Sequence, residues 1–458
     1  MARPTDRPRL RELWTDLPRE GRLLLSTVVV DALGTGLVLP FGVVYLHEVR
    51  GIPLETVGLI LAVPAAVALL LLGPAGTIID RFGPRRVQLL ALATQVVGSA
   101  LLGFVSSPAA ASLAMGLIGV GHAAFWPASQ SLVAVVVPSG IRQRYYGTSF
   151  TILNLGIGIG GLLSGFAVSV DDPSSFTTIY LLDAVTFLAP IAVLAGPLRH
   201  VGNAPDRPPP SERPASPTSY RSVVGDPVFR SVLAVTFFSA FVGYAQFEAG
   251  WTAYARTVGE ASTRLIGVAF AANTATIVLL QLVVIQRIEG HRRTRVLMVM
   301  SGVWAASWSL MGLSGLIPGS VAGSVLLVSS MSVFALGETL LSPVQPAIVN
   351  DLSPDHLRGR YNAVSSAVFQ MAAIAGPVVA GQLLGRRMPG VFVGVLVAGC
   401  AFMVLLLRRV ERVISPQANG LRPADPATGP GLVFEAGHIQ PPTADPAHVD
   451  RTARTETR

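Results

Sequence analysis

The chain has 458 residues, of which 51% are hydrophobic and 13% are charged. Soluble domains carry about 25% charged residues, so this composition argues against a soluble enzyme or binding domain and is typical of a membrane protein. The formal net charge is +8, and all 34 basic side chains are Arg. They lie between apolar stretches, which indicates membrane orientation and contact with lipid headgroups rather than binding of nucleic acid.

Twelve apolar stretches are long enough to cross a hydrocarbon core of about 30 Å as helices. We therefore expect an all-α membrane protein with twelve transmembrane helices in two pseudo-symmetric six-helix bundles. The expected spans are 23–46, 57–79, 87–105, 111–136, 146–169 and 176–197 in the first half, and 231–255, 265–285, 296–316, 320–349, 361–384 and 391–407 in the second.

The segments outside the spans define five predicted regions. Residues 1–22 form a cytoplasmic N-terminus, 23–198 the first bundle and 229–410 the second bundle. Residues 199–228 are rich in Pro and Ser, which is typical of a flexible cytoplasmic linker. Residues 411–458 have no sustained apolar period and are predicted to be a disordered cytoplasmic tail.

The distribution of Arg predicts the orientation. With the N-terminus inside, 29 of the 34 Arg residues fall in segments on the cytoplasmic side. This bias places both termini in the cytoplasm and indicates a multi-pass protein of the plasma membrane.

Four spans each carry one ionisable residue near their middle, namely Asp31, His122, Glu248 and Glu338 in the first, fourth, seventh and tenth spans. A charge at the bilayer centre costs about 2.5 to 3.5 kcal/mol, so such residues normally face a bundle interior or a wet cavity. Thr35 lies four residues after Asp31 and shares its helix face. A carboxyl group away from water and counter-charges binds protons more readily than one in solution, so Asp31 is the leading candidate for protonation.

Aromatic residues accompany the acid of the seventh span. Tyr244, Glu248 and Trp251 have the spacing of one helix face, which suits a partly apolar or cationic substrate. A position in the interfacial aromatic belt explains Trp251 alone nearly as well. Asp183 in the sixth span is a further membrane acid, for which a structural hydrogen bond is expected.

His122 has two open interpretations. Imidazole changes charge in the physiological pH range, so His122 can supply a titratable group. A lone membrane His is as often a hydrogen-bonded structural residue.

Two motifs concern loops and helix packing. The loop between spans two and three joins the end of one helix to a Gly-Pro turn and an Arg cluster, and a degraded copy lies at 286–293. Small residues four apart in spans five and eleven allow close approach of helices. The loop residues are Gly76, Asp80, Arg81, Gly83, Arg85 and Arg86; the packing residues are Gly156, Gly160, Gly161, Gly165, Gly376 and Pro377.

The two halves repeat each other. A shift of 216 positions places Arg142, Arg144 and Tyr145 on Arg358, Arg360 and Tyr361, and places His122 on Glu338. Parallel six-helix repeats are typical of transporters whose substrate site lies between the repeats near the bilayer midplane.

The loop between spans two and three closely resembles the G-x-x-x-D-R-x-G-R-R signature of the major facilitator superfamily, with Pro84 in place of the first Arg. The span-five motif is similar to the G-x-x-x-G-P-x-x-G-G motif of proton-coupled exporters, with Gly161 in place of Pro. The first span, from Asp31 to Pro40, is similar to that of multidrug-exporting members. The resemblance implies that Asp80, Arg81 and Arg86 latch the cytoplasmic side in the outward-facing state; an alternative is that the Arg residues only fix topology.

The combined interpretation is a proton-coupled secondary transporter that exports small amphipathic compounds, resembling the twelve-span drug:proton antiporters. It needs no cofactor besides the proton gradient, and its partners are the substrate, protons and membrane lipid; a monomer is expected. An importer on the same fold is the nearest alternative. An enzyme is disfavoured because the chain has no H-E-x-x-H or phosphate-loop motif, and a membrane sensor would not need four charged residues on cavity helices.

Overall fold

Twelve long helices form the framework of the described part of the protein. The computed structural model describes residues 16–202, 220–354 and 357–421. Within these ranges no strand is formed, and a single isolated bridge joins Ser169 to Asp172. The helices are α1 Arg19–Val38, α2 Leu54–Phe82, α3 Pro84–Leu102, α4 Pro108–Val136, α5 Ser139–Ala167, α6 Pro173–Thr186, α7 Pro227–Val242, α8 Thr263–Ile288, α9 Arg293–Ser314, α10 Val321–Leu352, α11 Arg358–Gly385 and α12 Pro389–Val413.

The helices confirm the all-α membrane fold expected from the sequence. Eleven of them, counted with their continuations, are long and apolar enough to cross a membrane. The exception is α3, which is less apolar because it carries Arg85 and Arg86 in its first turn and Gln88 and Gln95 further along. Both Gln side chains are buried within the protein, and the 19 residues of α3 extend about 28 Å at 1.5 Å per residue. Helix α3 is therefore long enough to cross the membrane, but polar side chains interrupt its apolar surface on the side that packs inside the protein.

Local sequence explains where the helices begin. Pro occupies the first turn of α3, α4, α6, α7 and α12, where its missing N–H leaves no hydrogen bond unmade. Side chains cap several of these ends: Asp226 accepts hydrogen bonds from the backbone N–H groups of Val228 and Phe229, and Ser107 accepts one from Ala110.

The first helix of each half is broken near its middle. After α1 the chain forms a short 3₁₀ segment, Leu39–Phe41, and a π-helical turn, Tyr45–Val49. After α7 it forms a π-helical turn, Gln246–Gly250, and a last helix, Trp251–Thr257. Such breaks are tolerated at membrane depth where the backbone is buried in protein or lines a cavity.

Glycine-mediated contacts join the two halves near the ends of the helices opposite the Arg-rich loops. Helix α2 packs on α11, where an added Cβ on Gly381 would lie 3.0 Å from the Cα of Gly58. Helix α5 packs on α8, where an added Cβ on Gly165 would lie 2.9 Å from the Cα of Gly267. Side chains at these positions would separate the helices.

The predicted packing residues divide between two kinds of contact. Gly156 and Gly160 lie against α1, and Gly376 lies against the broken seventh helix, so these three pack within one half. Gly161 lies near Pro40 and Phe270, and Gly165 contacts α8 of the other half. Pro377 lies beside Gly58 and lines the cavity described below.

In each half, the segment after the last helix returns to the start of the third helix and caps it. We call these two segments, at Gly202 and at Asn419, the straps. The N–H of Arg85 donates to the carbonyl of Gly202 at 3.2 Å, and the N–H of Arg293 donates to that of Asn419 at 3.0 Å. The Asn419 side chain also accepts hydrogen bonds from Thr294. Residues 414–421 thus form an ordered turn, whereas the sequence assigned them to a disordered tail. Three parts of the predicted regions lie outside the described residues: 1–15 of the N-terminus (1–22), 203–219 of the linker (199–228) and 422–458 of the tail (411–458).

Candidate functional site

A cavity lies between the two halves at the level of the helix breaks. This central chamber has a volume of about 460 Å³ and is lined by both halves. It adjoins a second cavity of about 650 Å³, the vestibule, which extends along α2, α4, α10 and α11 toward the Arg-rich loops. Small-molecule sites commonly have volumes of about 300 to 1,000 Å³, so the chamber suits a small organic substrate.

Four of the residues predicted to bind protons or substrate line the central chamber: Thr35, His122, Tyr244 and Glu248. They come from α1, α4 and the broken seventh helix. His122 and Tyr244 also line the vestibule, so they lie where the two cavities meet.

The break after α7 explains both the position of Glu248 and an error in the prediction. Tyr244 and Glu248 lie on either side of the start of the π-helical turn, which changes the angular spacing of the residues that follow. Trp251 consequently does not join them on the chamber wall. It is 1% exposed, and its indole N–H donates to the hydroxyl of Ser330 at 2.9 Å. The prediction that Trp251 shares one helix face with Tyr244 and Glu248 is therefore wrong.

Two other predicted acids lie behind the wall. Asp31 does not line the chamber, and its Oδ1 atom is buried without a hydrogen-bond partner. Glu338 is a residue of α10, and its Oε2 accepts a hydrogen bond of 3.0 Å from Asn273 Nδ2 of α8. Glu338 lines neither cavity, so the residues that the repeat makes equivalent, His122 and Glu338, differ in environment.

The chamber contains an acid to which sequence reasoning gave only a structural role. Asp183 of α6 lines the wall and is 4% exposed. Its Oδ2 lies 2.6 Å from Ser99 Oγ, so the expected structural hydrogen bond exists, but its Oδ1 is buried without a partner. Its mid-span position was the available signal, and only the packing of α6 on α1 and α3 shows that it faces the cavity.

Aromatic and amide side chains complete the walls. Trp126 lies one turn after His122, is 55% exposed and lines both cavities. Phe369 and Gln370 of α11 also line both cavities, and Gln95 of α3 lines the chamber. The spacing of four from His122 could have identified Trp126. Among the residues the structure describes, no group of three His, Cys, Asp or Glu side chains is placed to hold a metal ion.

The signature loop lies at the open end. Gly83 adopts φ +81°, a left-handed conformation that glycine accommodates, and α3 begins directly after it. Arg85 Nε donates to the carbonyl of Leu194 at 2.7 Å, which ties the loop to Leu188–Ala195, the short helix that continues α6. The predicted latch residues are exposed, and none of them forms an ion pair within the described ranges. They are Asp80, Arg81 and Arg86. An added Cβ on Gly76 would meet no atom within 4 Å.

The opposite end is closed by an ion pair between the halves. Arg256, at the end of the seventh span, contacts both carboxylate oxygens of Glu48, at the end of the first span. The Nε–Oε1 distance is 2.6 Å, and the two side chains are about one-fifth exposed. Such a bidentate pair is a strong, geometrically specific contact.

Comparison with known proteins gives the same class as the geometry. The family model described as Major Facilitator Superfamily matches residues 24–332 and 250–439. The uncharacterized MFS-type transporter YttB of Bacillus subtilis is 24% identical over 406 residues, covering 85% of this chain and 93% of that protein.

Two further relatives have assigned roles. A Na⁺, Li⁺, K⁺/H⁺ antiporter of Planococcus maritimus is 25% identical over 382 residues, covering 75% of this chain and 84% of that protein. The multidrug resistance protein MdtG of Escherichia coli O9:H4 is 28% identical over 182 residues, covering 38% and 44% of the two chains.

The fold comparison agrees. The crystal structure of the nucleoside transporter NupG superposes with a TM-score of 0.64 at 13% identity, covering 86% of this chain and 99% of that chain. The family match and this fold confirm the prediction of a membrane transporter that is not an enzyme. With a family model that covers most of its length, the chain belongs to the Major Facilitator Superfamily.

Proposed function

We propose that the protein is a proton-coupled exporter of small amphipathic cations, working by alternating access. The observation that carries this proposal is the central chamber, which places the carboxyl groups of Asp183 and Glu248 on walls from opposite halves. Both acids lie beside aromatic side chains in a cavity large enough for a drug-sized molecule.

The chamber chemistry favours a substrate with a positive charge and an apolar or aromatic body. Carboxylates in a low-dielectric site attract a cation more strongly than they would in water. Trp126, Tyr244 and Phe369 offer ring faces for cation–π and apolar contact. Described Arg side chains do not line either cavity, so an anionic substrate would meet uncompensated carboxylates.

Closure at one end and openness at the other correspond to one state of an alternating-access cycle. The Glu48–Arg256 pair and the glycine contacts close the end away from the Arg-rich loops. The vestibule opens toward those loops, which the Arg distribution assigns to the cytoplasm. In this state substrate enters the chamber from the cytoplasm of the cell.

Coupling follows if protons and substrate compete for the same negative charge. Protonation of Asp31, together with Glu248 or Glu338, would release the cation to the outside and favour return to the inward-open state. A ligand shifts a conformational equilibrium only through its different affinities for the two states. The name of the relative MdtG, a multidrug resistance protein, supports export, and the cation/proton antiporter supports antiport.

Transport in proteoliposomes tests the direction and the coupling. Tetraphenylphosphonium, an aromatic cation, is supplied outside liposomes that contain the protein with its Arg-rich face outward. An acidic lumen should drive accumulation of tetraphenylphosphonium, and collapse of the pH gradient by nigericin should stop it. Uptake driven by the opposite gradient would indicate symport and favour the importer. Accumulation that persists after collapse of the gradient would contradict proton coupling.

A further inference from the structure

Two buried carboxyl groups lie near the crossing of α1 and α6 inside the first half. An added Cβ on Gly34 of α1 would lie 2.9 Å from Asp183 Oδ1 on α6. Asp31 lies one turn before Gly34 on the same helix, so the two acids are near enough for their negative charges to repel each other. The pair lies partly behind the chamber wall, with Asp183 on the wall and Asp31 behind it.

Neither carboxyl group is fully satisfied by the protein. Asp31 Oδ1 and Asp183 Oδ1 are both buried without hydrogen-bond partners, and Ser99 serves only Asp183 Oδ2. Within the described part of the chain, neither acid forms an ion pair. Buried carboxylate oxygens without partners are costly, and two like charges at this contact would repel each other.

Arg50 brings a positive charge to these surroundings, because its Nε donates to the hydroxyl of Tyr45 at 2.9 Å, but within the described residues it forms no ion pair with either acid. The titratable groups beside the pair are Tyr180 on α6, which interacts with Asp183, and Tyr45, which packs on Tyr180 at a ring distance of 4.9 Å. His122 lies on the chamber wall contributed by α4. Gln95 of α3 is 3% exposed, and its Nε2 donor is also buried without a partner on this wall.

The space at the crossing favours a proton over a metal cation. Thr186 Oγ1 and Asp183 Oδ1 already occupy the volume beside Gly34. Thr186 Oγ1 donates to the carbonyl of Asp183 at 2.7 Å, so its hydrogen is engaged. A dehydrated metal ion requires several oxygen ligands at once, whereas a proton needs only one or two.

We propose that Asp31 and Asp183 form one coupled proton-binding pair that holds a single proton, and that Asp183 exchanges this proton with the chamber. This inference rests on the proposed proton coupling and adds Asp183 to it. A cationic substrate beside Asp183 compensates the same negative charge as the proton does. Binding of the substrate therefore expels the proton, and rebinding of a proton expels the substrate.

Proton release on substrate binding tests the pair. Tetraphenylphosphonium is added to the purified full-length protein in weakly buffered detergent, and a pH indicator follows the protons released. The wild type should release about one proton per cation bound. Asp183→Asn and Asp31→Asn should each abolish this release, and the double variant should lose no more than either single variant. Asp183→Glu, which keeps the carboxyl group, should restore most of it.

The matched control is Asp171→Asn, because Asp171 is an exposed acid in the loop before α6. This variant should release protons as the wild type does, and thermal unfolding should show that all variants are folded. Wild-type release by Asp183→Asn would overturn the proposal. Displacement of tetraphenylphosphonium by sodium chloride but not by choline chloride would replace the proton by a metal cation and also overturn it.

A second measurement separates this proposal from the proposed function. If the wild type binds no tetraphenylphosphonium, the substrate assignment fails, and infrared spectroscopy then examines the pair directly. Difference spectra between acidic and alkaline pH should show a protonated-carboxyl band that titrates at a lower pH in Asp31→Asn and in Asp183→Asn, because each remaining acid has lost the neighbouring negative charge that favours its protonation. The double variant should lose this band. A band that titrates at the same pH in both single variants as in the wild type would refute the coupling of the two acids.

Discussion

Arg256 and Glu48 join the two halves of the protein through a bidentate ion pair at the closed end of the chamber. The pair connects the last turns of the first and seventh spans, which are also the two broken helices. Arg256 additionally donates to the carbonyl of Ala261. The contact therefore links the state of this end to the two spans that present Thr35, Tyr244 and Glu248 to the chamber.

We expect Arg256→Gln to open this end more often. Loss of a pair that is about one-fifth exposed should cost between the roughly 0–1 kcal/mol of surface pairs and the roughly 3–5 kcal/mol of buried ones. A change of about 1.4 kcal/mol shifts a two-state population tenfold. Spin labels on Asp171→Cys and Val321→Cys, in a Cys400→Ser background, should report longer distances in the Arg256→Gln variant.

The control for this experiment is the exchanged pair. Glu48→Arg combined with Arg256→Glu restores opposite charges and should return the distance distribution toward that of the wild type. If Arg256→Gln leaves the distribution unchanged, the ion pair contributes nothing to closure and the glycine contacts alone maintain it.

Gly381→Leu should prevent the close approach of α2 and α11. A side chain at position 381 would overlap the backbone of Gly58 and the carbonyl of Leu54. Overpacking of this kind costs about 1–3 kcal/mol, so we expect a lower melting temperature and greater access of water-soluble reagents at the closed end. Gly394→Leu is the matched control, because an added Cβ there meets no atom within 4 Å. An equal loss of stability in both variants would contradict this account.

Glu248→Gln should weaken binding of tetraphenylphosphonium by roughly ten- to a hundredfold. Glu248 lines the chamber, and a hydrogen-bonded or ionic contact to a charged group contributes about 1.5–3 kcal/mol. Binding of uncharged triphenylphosphine should change little, because it lacks the charge that Glu248 attracts. Isothermal titration of both compounds measures the difference.

Glu338→Gln provides the comparison for that prediction. Glu338 is hydrogen-bonded to Asn273 outside both cavities, and glutamine keeps its shape. We expect the affinity for tetraphenylphosphonium to remain within about threefold of the wild type, since no direct charge contact is lost. A decrease as large as that of Glu248→Gln would place Glu338 in the substrate site.

The sequence predicted the span pattern because apolar length and loop charge are local properties. It also identified Thr35, His122, Tyr244 and Glu248, whose polarity in an apolar span indicates an interior position. It misplaced Trp251 because the π-helical turn at Gln246–Gly250 changes the face that follows, and a regular period cannot anticipate such a turn. The sequence could not predict that the Asp183 side chain faces the chamber, because this depends on the tertiary packing of α6 against α1.

The repeat had a similar limit. It correctly relates the overall organisation of the halves, as the two straps at Gly202 and Asn419 show. It does not fix the environment of individual side chains, because His122 faces the chamber whereas Glu338 is engaged by Asn273. Each half has its own interior packing, and equivalent backbone positions can therefore carry different roles.

Trp126→Ala should reduce affinity for aromatic cations while leaving the fold nearly unchanged. Trp126 is 55% exposed and lines both cavities. Loss of its ring removes a cation–π partner, so we expect a decrease of about three- to thirtyfold. Trp304 is the contrasting case, because it is fully buried, stacks on Phe334 and donates to the Phe334 carbonyl at 3.0 Å. Trp304→Ala should cost about 3–5 kcal/mol of stability. Thermal unfolding and tetraphenylphosphonium binding distinguish the two variants, and a large stability loss in Trp126→Ala would mean that its ring is structural.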